Sequence, residues 1–157
     1  MNIKLIVIGK TDEAYLEAGI EKYSKRIGKY VNYSYKIIKD MKNTKNLSEE
    51  VQKRQEGEKI LEETSNTDIL VLLDENGKTV NSREFSEFIS KQMLSGIKNL
   101  VFIIGGPYGF SKEVYERANY KLSLSKMTFS HQLVRLIFAE QLYRAFTIIN
   151  NEPYHHD

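Results

Sequence analysis

Leu100-Val101-Phe102-Ile103-Ile104-Gly105-Gly106-Pro107-Tyr108-Gly109 is the stretch on which the fold turns. Five consecutive apolar residues, three of them β-branched, read as a strand buried on both faces, which is the habit of a parallel sheet covered by helices on each side. The two adjacent glycines that follow can take unusual dihedrals and let a backbone approach a ligand closely. A plain strand-to-helix turn leading into a helix capped by Ser111 accounts for the same residues equally well. Working outward, similar short runs recur at Ile3 to Ile8, Tyr33 to Ile38, Ile69 to Leu73 and Tyr120 to Leu124. Helix-length segments separate them. Thr11 or Asp12 is positioned to cap the first helix, Ser48 the second, and Asn81 with Glu84 forms a capping-box pattern for the third, which stops near Gly96. The last helix, from about Ser130 to Ile149, carries Leu133, Leu136, Ile137, Leu142, Phe146 and Ile149. This alternation predicts a single α/β domain over residues 1–157 with a parallel sheet, with Lys39 to Lys45 as its one mobile loop. Ligands in such sheets lie beyond the carboxyl ends of the strands. That rule selects three segments: Asp74 to Lys78, Gly105 to Gly109, and Ser125 to Phe129.

Composition narrows the function classes. A chain of 157 residues exposes roughly 8,000 Å² folded against about 26,500 Å² unfolded, enough burial for one core and too little chain for separate cofactor and substrate lobes. The absence of Cys excludes a disulfide scaffold, a zinc ribbon and a thiol nucleophile. No apolar run approaches the ~20 residues of a membrane helix, and a mean hydropathy of −0.46 fits a cytoplasmic protein. Lys and Arg number 23 against 21 acids, so any polyanion site must be local. Residues 121 to 144 supply one, with Lys121, Lys126, Arg135 and Arg144 against the single acid Glu140.

Neither dinucleotide nor P-loop glycine patterns are present, so a nucleoside without phosphates suits the glycine turn better than a nucleotide. His131, His155 and His156 cluster late in the chain but lack metal-ligand spacing, so no metal is expected. His131 and Arg135 share a helix face at i, i+4, as do Glu140 and Arg144. The tail Pro153-Tyr154-His155-His156 places an aromatic beside a group that titrates near neutrality, a combination suited to a flap over an RNA base and equally to a solvated terminus.

Taken together, Val7-x-Gly9-Lys10, Ile104-Gly105-Gly106-Pro107-x-Gly109, Leu122-Ser123-Leu124-Ser125-Lys126-Met127-Thr128, His131-x-x-x-Arg135, Glu140-Gln141-Leu142-Tyr143-Arg144-Ala145 and Pro153-Tyr154-His155 resemble the RlmH family. These are small SPOUT-class methyltransferases that modify N3 of a pseudouridine in large-subunit ribosomal RNA. The resemblance runs from the first strand to the terminus and is least distinctive over residues 40 to 67.

The resemblance implies a C-terminal trefoil knot, in about residues 68–157, an exception to the rule that chains do not thread loops. It implies S-adenosylmethionine as cofactor, held by Leu73, Gly105, Gly106, Leu122, Leu124, Ser125, Lys126, Met127, Thr128 and Phe129. It implies a homodimer in which the second subunit completes the substrate site, and an assembled ribosome as substrate, read at the subunit interface by a domain with no appended RNA-binding module. Arg144, Tyr154 and His155 become the catalytic candidates, with His155 a candidate proton acceptor, while His131, Arg135 and Lys126 become candidates for shaping the pocket and meeting RNA phosphate. A non-catalytic ribosome-binding or assembly factor and a SPOUT transfer-RNA methyltransferase are the alternatives.

Overall fold

The computed structural model describes residues 1–42 and 44–156. In chain order it contains β1 (Asn2–Ile8), α1 (Ala14–Ile27), β2 (Asn32–Ile38), a 3₁₀ turn (Thr44–Asn46), α2 (Glu49–Glu62), β3 (Ile69–Thr79), α3 (Ser82–Leu94), β4 (Asn99–Ile104), α4 (Lys112–Arg117), β5 (Tyr120–Ser123) and α5 (Leu133–Ile149). The strands form one sheet in the order β2-β1-β4-β3-β5, every neighbouring pair parallel. Period-two alternation then divides the core. Ile3, Leu5 and Val7 of β1, Leu100, Phe102 and Ile104 of β4, and Val71 of β3 face a layer supplied by α1, α3 and α5. Ile6, Ile8, Val101, Ile103, Leu70 and Leu72 face the opposite layer, which α2 and α4 cover through Ile60 and Val114. Both faces of the central strands are thus dry, which is why those strands are apolar throughout.

Three helix starts follow the sequence. Ser48 Oγ accepts from the Val51 amide at 3.2 Å, Asn81 and Glu84 complete a reciprocal capping box, and Ser111 Oγ accepts from Val114 at 3.4 Å. The first helix departs from expectation. It begins at Ala14 after Glu13, which makes no side-chain cap bond, because Thr11 and Asp12 are engaged elsewhere. Thr11 Oγ1 accepts from Arg135 at 3.2 Å, and Asp12 exchanges two hydrogen bonds with Gln132. α5 starts at Leu133 rather than Ser130; the Ser130 hydroxyl accepts from the Leu133 amide at 3.1 Å. β3 runs past Leu73 to Thr79 through a bulge in which both Leu73 and Lys78 pair with Leu122. Gly77 makes that return possible, since a Cβ there would lie 2.7 Å from the Leu122 backbone. The 3₁₀ turn over residues 44–46 overlaps the end of the segment expected to be mobile, while Asn43 lies outside the described residues, as does Asp157.

Candidate cofactor pocket and a separate polar cluster

A cleft of about 700 Å³ opens at the carboxyl ends of β3, β4 and β5, the position favoured for ligands in parallel sheets and a volume suited to a small organic ligand. Its walls are Leu73 to Asn76, Ile104 to Phe110 and Leu122 to His131 with Lys126 left out, closed by Glu49, Tyr115 and Val134. Leu73, Gly105, Gly106, Leu122, Leu124, Ser125, Met127, Thr128 and Phe129 therefore all line one cavity. Lys126 points away from it and is exposed.

The glycine turn is shaped by its own protein as well as by what it could hold. Gly109 adopts φ +79°, and its amide donates to the Gly106 carbonyl at 3.2 Å, closing the turn. A Cβ on Gly105 would meet the Phe110 ring at 3.1 Å, and one on Gly106 would meet Glu56 Oε2 at 2.6 Å. Glycine is thus required because side chains crowd the turn from behind, which leaves its front as bare backbone facing the cleft. Glu49, Asp74 and Glu75 line the cavity, whose wall contains no Lys or Arg. Such a wall disfavours phosphates and suits a nucleoside-sized ligand with net positive charge. S-adenosylmethionine, with a sulfonium and an ammonium against one carboxylate, fits that description.

Tyr115 joins this wall from α4, and nothing in its sequence neighbourhood marks it. Its hydroxyl donates to Asp74, its ring meets Phe110 edge-on at 5.7 Å, and Lys121 Nζ lies 5.5 Å from its ring centre. Burial, and then the hydrogen bond to the Asp74 carboxylate, push the phenol up to about 12, so it remains a donor at neutral pH and holds the β3 excursion against α4. Tyr115→Phe is expected to weaken cofactor binding about three- to tenfold by freeing Asp74, with little change in thermal stability, since one partly exposed hydrogen bond contributes about 1 kcal/mol; calorimetric titration checks it.

A second constellation lies farther along α5. Arg144 donates from Nε and one terminal nitrogen to Glu140 Oε1 at 3.1 and 2.7 Å, and its other terminal nitrogen is 3.2 Å from His155 Nδ1. Its guanidinium sits 4.8 Å from the Tyr154 ring centre, while the Tyr154 hydroxyl donates to Glu140 Oε1 at 3.1 Å. Tyr143 packs on Tyr154 edge-on at 4.8 Å. The ion pair to Glu140 holds Arg144 even more firmly protonated, and burial with the hydroxyl of Tyr23 and the charge of Glu140 raises the Tyr154 phenol well above its ordinary range. A guanidinium can only donate, so in this arrangement His155 Nδ1 accepts and the neutral ring carries its proton on Nε2. Proton acceptance at Nδ1 would require breaking the Arg144 contact.

The structure thus brings Arg144, Tyr154 and His155 together, and it keeps them away from the cleft. None lines it. The α5 residue on the cleft wall is Val134, ten positions before Arg144, or about 15 Å along the helix axis. His131 is exposed on the cleft wall, but Arg135 is not part of that wall. Arg135 is wholly buried and donates to the carbonyls of Ile8 at 2.6 Å, Gly9 at 2.8 Å and His131 at 3.1 Å, as well as to Thr11. The expectation that Arg135 meets RNA phosphate is corrected: its donors are spent within the protein. The i, i+4 spacing assigned it to the face of His131, whereas its long side chain turns back under β1.

A parallel sheet with a ligand-sized cleft lined by three post-strand segments is the architecture expected of a SPOUT-type methyltransferase domain. The sequence pattern of the family described as "Predicted SPOUT methyltransferase" matches residues 1–155, and the chain belongs to that family. It is 62% identical over 156 residues to a protein of Christiangramia forsetii and 62% identical over 156 residues to one of Flavobacterium johnsoniae, with 99% of each chain covered in both cases. It is 56% identical over 157 residues to one of Parabacteroides distasonis, covering all of both chains. Each of these relatives is named ribosomal RNA large subunit methyltransferase H. Among solved structures, a probable methylase family protein from Haemophilus influenzae shares the fold, with a TM-score of 0.51 at 10% identity over 95% of this chain and 66% of that one.

Proposed function

We propose that this protein transfers the methyl group of S-adenosylmethionine to N3 of a pseudouridine in large-subunit ribosomal RNA, working as a homodimer on the assembled ribosome in the cytoplasm. The observation that carries this reading is the cleft at the carboxyl ends of β3, β4 and β5 in a chain whose full-length relatives bear a ribosomal RNA methyltransferase name. When bound, S-adenosylmethionine supplies an electrophilic methyl group. The protein's part is placement, since holding two reacting groups in line removes much of the barrier. Gly105, Gly106 and the Leu124 to Phe129 backbone hold the adenosine, and Asp74 and Glu75 lie where positive charge is favoured. Arg144, whose guanidinium carries five N–H groups, offers hydrogen-bond donors to the carbonyls flanking N3 as negative charge develops there, while Tyr154, its hydroxyl committed to Glu140, positions the base with its ring. His155 orients the guanidinium, and the proton that N3 sheds as the N–C bond forms passes to its Nδ1 once the Arg144 contact opens. The reading also includes the trefoil knot expected in about residues 68–157.

Homodimerisation answers the separation of cleft and polar cluster. A cluster some 15 Å along α5 from its own cleft can serve the cleft of a second copy, if α5 packs on its counterpart. Two features support this. Ile137 and Ile148 of α5 are apolar yet only half-buried, and the protomer exposes 9187 Å² where roughly 8,000 Å² is expected for a compact chain of this mass.

The test is methyl transfer from labelled S-adenosylmethionine to ribosomes lacking the modification, with separated subunits as comparison and mass mapping of the product. Label on N3 of one pseudouridine, preferentially in intact ribosomes, is the expected result. Label in transfer RNA, or no cofactor binding, overturns it. A mixture of Arg144→Ala with Gly105→Trp, each inactive alone, is expected to recover about a quarter of wild-type activity, because half of randomly exchanged dimers carry one intact shared site.

A further inference from the structure

Behind the glycine turn lies an acid that the reaction does not use. Glu56 of α2 is 4% exposed; its Oε1 accepts from Gln52 at 3.0 Å, and its Oε2 is buried with no hydrogen-bond partner. It makes no ion pair among the described residues. The same stretch of α2 presses on this loop twice, since a Cβ on Gly106 would lie 2.6 Å from Glu56 Oε2 and one on Gly57 would lie 2.4 Å from Ser111 Oγ. α2 is thus the back plate of residues 106–111, and Gly106 is a single backbone layer between Glu56 and the cleft.

We propose that Glu56 is a positioning residue for cofactor binding, its buried carboxyl bracing Gly106 from behind so that the glycine turn presents its backbone to the cleft. This rests on the reading of the cleft as the S-adenosylmethionine site. The brace is strongest where the carboxyl is neutral. An ionised oxygen with no donor, packed against backbone, would draw in water or displace the turn. The groups facing it agree. Burial outweighs the rest and raises the carboxyl, Gln52 and Lys59 on its own helix favour the charge and Asp40 after β2 opposes it, while Ser111 and Val114 pack on the neighbouring Gly57. The sign follows from that direction. A carboxyl raised by folding contributes fully below the ordinary carboxylate range, and its contribution is lost as pH climbs through the raised value.

The experiment measures S-adenosylmethionine dissociation constants by calorimetry from pH 5 to pH 9 for wild type, Glu56→Gln, Glu56→Ala and Gly106→Ala, with amide hydrogen exchange over residues 105–109 in the cofactor-free proteins. Glu56→Ala is expected to weaken binding about tenfold, as when the competent turn is populated a tenth of the time, and to speed exchange at Gly106 and Gly109. Glu56→Gln mimics the neutral acid, so it is expected to retain wild-type affinity at low pH and to lack the alkaline weakening expected of wild type. Gly106→Ala is expected to weaken binding, and adding Glu56→Ala to it to recover affinity, because the new methyl then occupies the vacated space. Unchanged affinity in a folded Glu56→Ala protein overturns the proposal, as does identical pH dependence in wild type and Glu56→Gln. If Glu56→Ala does not fold, the Gln profile and Gly106→Ala decide alone. Wild type that binds no S-adenosylmethionine instead overturns the reading of the cleft, a separate outcome.

Discussion

Arg144→Ala is expected to lower the methyl-transfer rate by about a hundred- to a thousandfold, the range found when one preorganised donor to developing charge is removed, while cofactor affinity stays within about threefold. The split follows from geometry. Arg144 lies outside the cleft lining of its own chain, so its loss leaves the cofactor walls intact. What disappears is the node of the polar cluster: the bonds to Glu140, the contact to His155 Nδ1 and the stack on Tyr154. His155 loses the donor that fixes its tautomer, and Tyr154 is left to share a carboxylate with no cation beside it. Arg144→Lys is not expected to rescue, because an ammonium cannot make the forked contacts and the ring stack together. Stability is expected to fall only slightly. Arg144 and Glu140 are 24% and 21% exposed at their side chains, and partly solvated helix pairs contribute about 0.3–1 kcal/mol. Single-turnover rates with saturating cofactor, set beside calorimetric affinity, separate the two effects. A variant with wild-type turnover would remove Arg144 from the site.

The same cluster shows which parts of the site a sequence reveals. Glu140, Arg144, Tyr154 and His155 are recognisable as a group because helical spacing and a proline-bounded tail bring them to one end of α5. Their separation from the cleft is not recognisable, because it depends on how far α5 travels after leaving the glycine loops. Ser48, Asn81 and Ser111 announce their helices since a cap is local chemistry. Thr11 and Asp12 carry the same signal and serve another purpose, their side chains being claimed by Arg135 and Gln132, 124 and 120 positions later. Tyr115 and Glu56 escaped notice for the same physical reason. A tyrosine on a short helix and a glutamate on a charged one become part of the pocket only after α4 and α2 have been laid on the sheet. The glycines are legible as a place of close approach or a plain turn, whereas the crowding by Phe110 and Glu56 from the opposite side is visible only in the fold.

Arg135→Ala is expected to destabilise the fold by about 3–5 kcal/mol, the cost typical of removing one member of a buried polar network. The guanidinium is 0% exposed and makes four protein contacts, three of them to main-chain carbonyls. No carboxylate is among its acceptors, so its charge is balanced by the carbonyl dipoles at the end of β1 and before α5. Truncation leaves Ile8 and Gly9 with unpaired buried oxygens, each costing about 1–3 kcal/mol, and opens a cavity beneath α5 that neighbouring side chains can only partly fill. Arg135→Met keeps the volume and is expected to lose somewhat less, about 2–4 kcal/mol, isolating the hydrogen-bond share. For a chain of this length either change lowers the melting temperature by several degrees per kcal/mol, roughly 2–4 °C each. The functional consequence runs through the fold, since the same arginine fixes where α5 leaves the cleft and therefore where both His131 and the distant Arg144 cluster are placed. A direct phosphate contact would predict the reverse pattern: a stable variant with normal melting, normal cofactor affinity, and a weakened, less salt-sensitive interaction with ribosomes. Thermal melts of the cofactor-free protein together with ribosome binding at two salt concentrations distinguish the two roles, and the buried geometry selects the first.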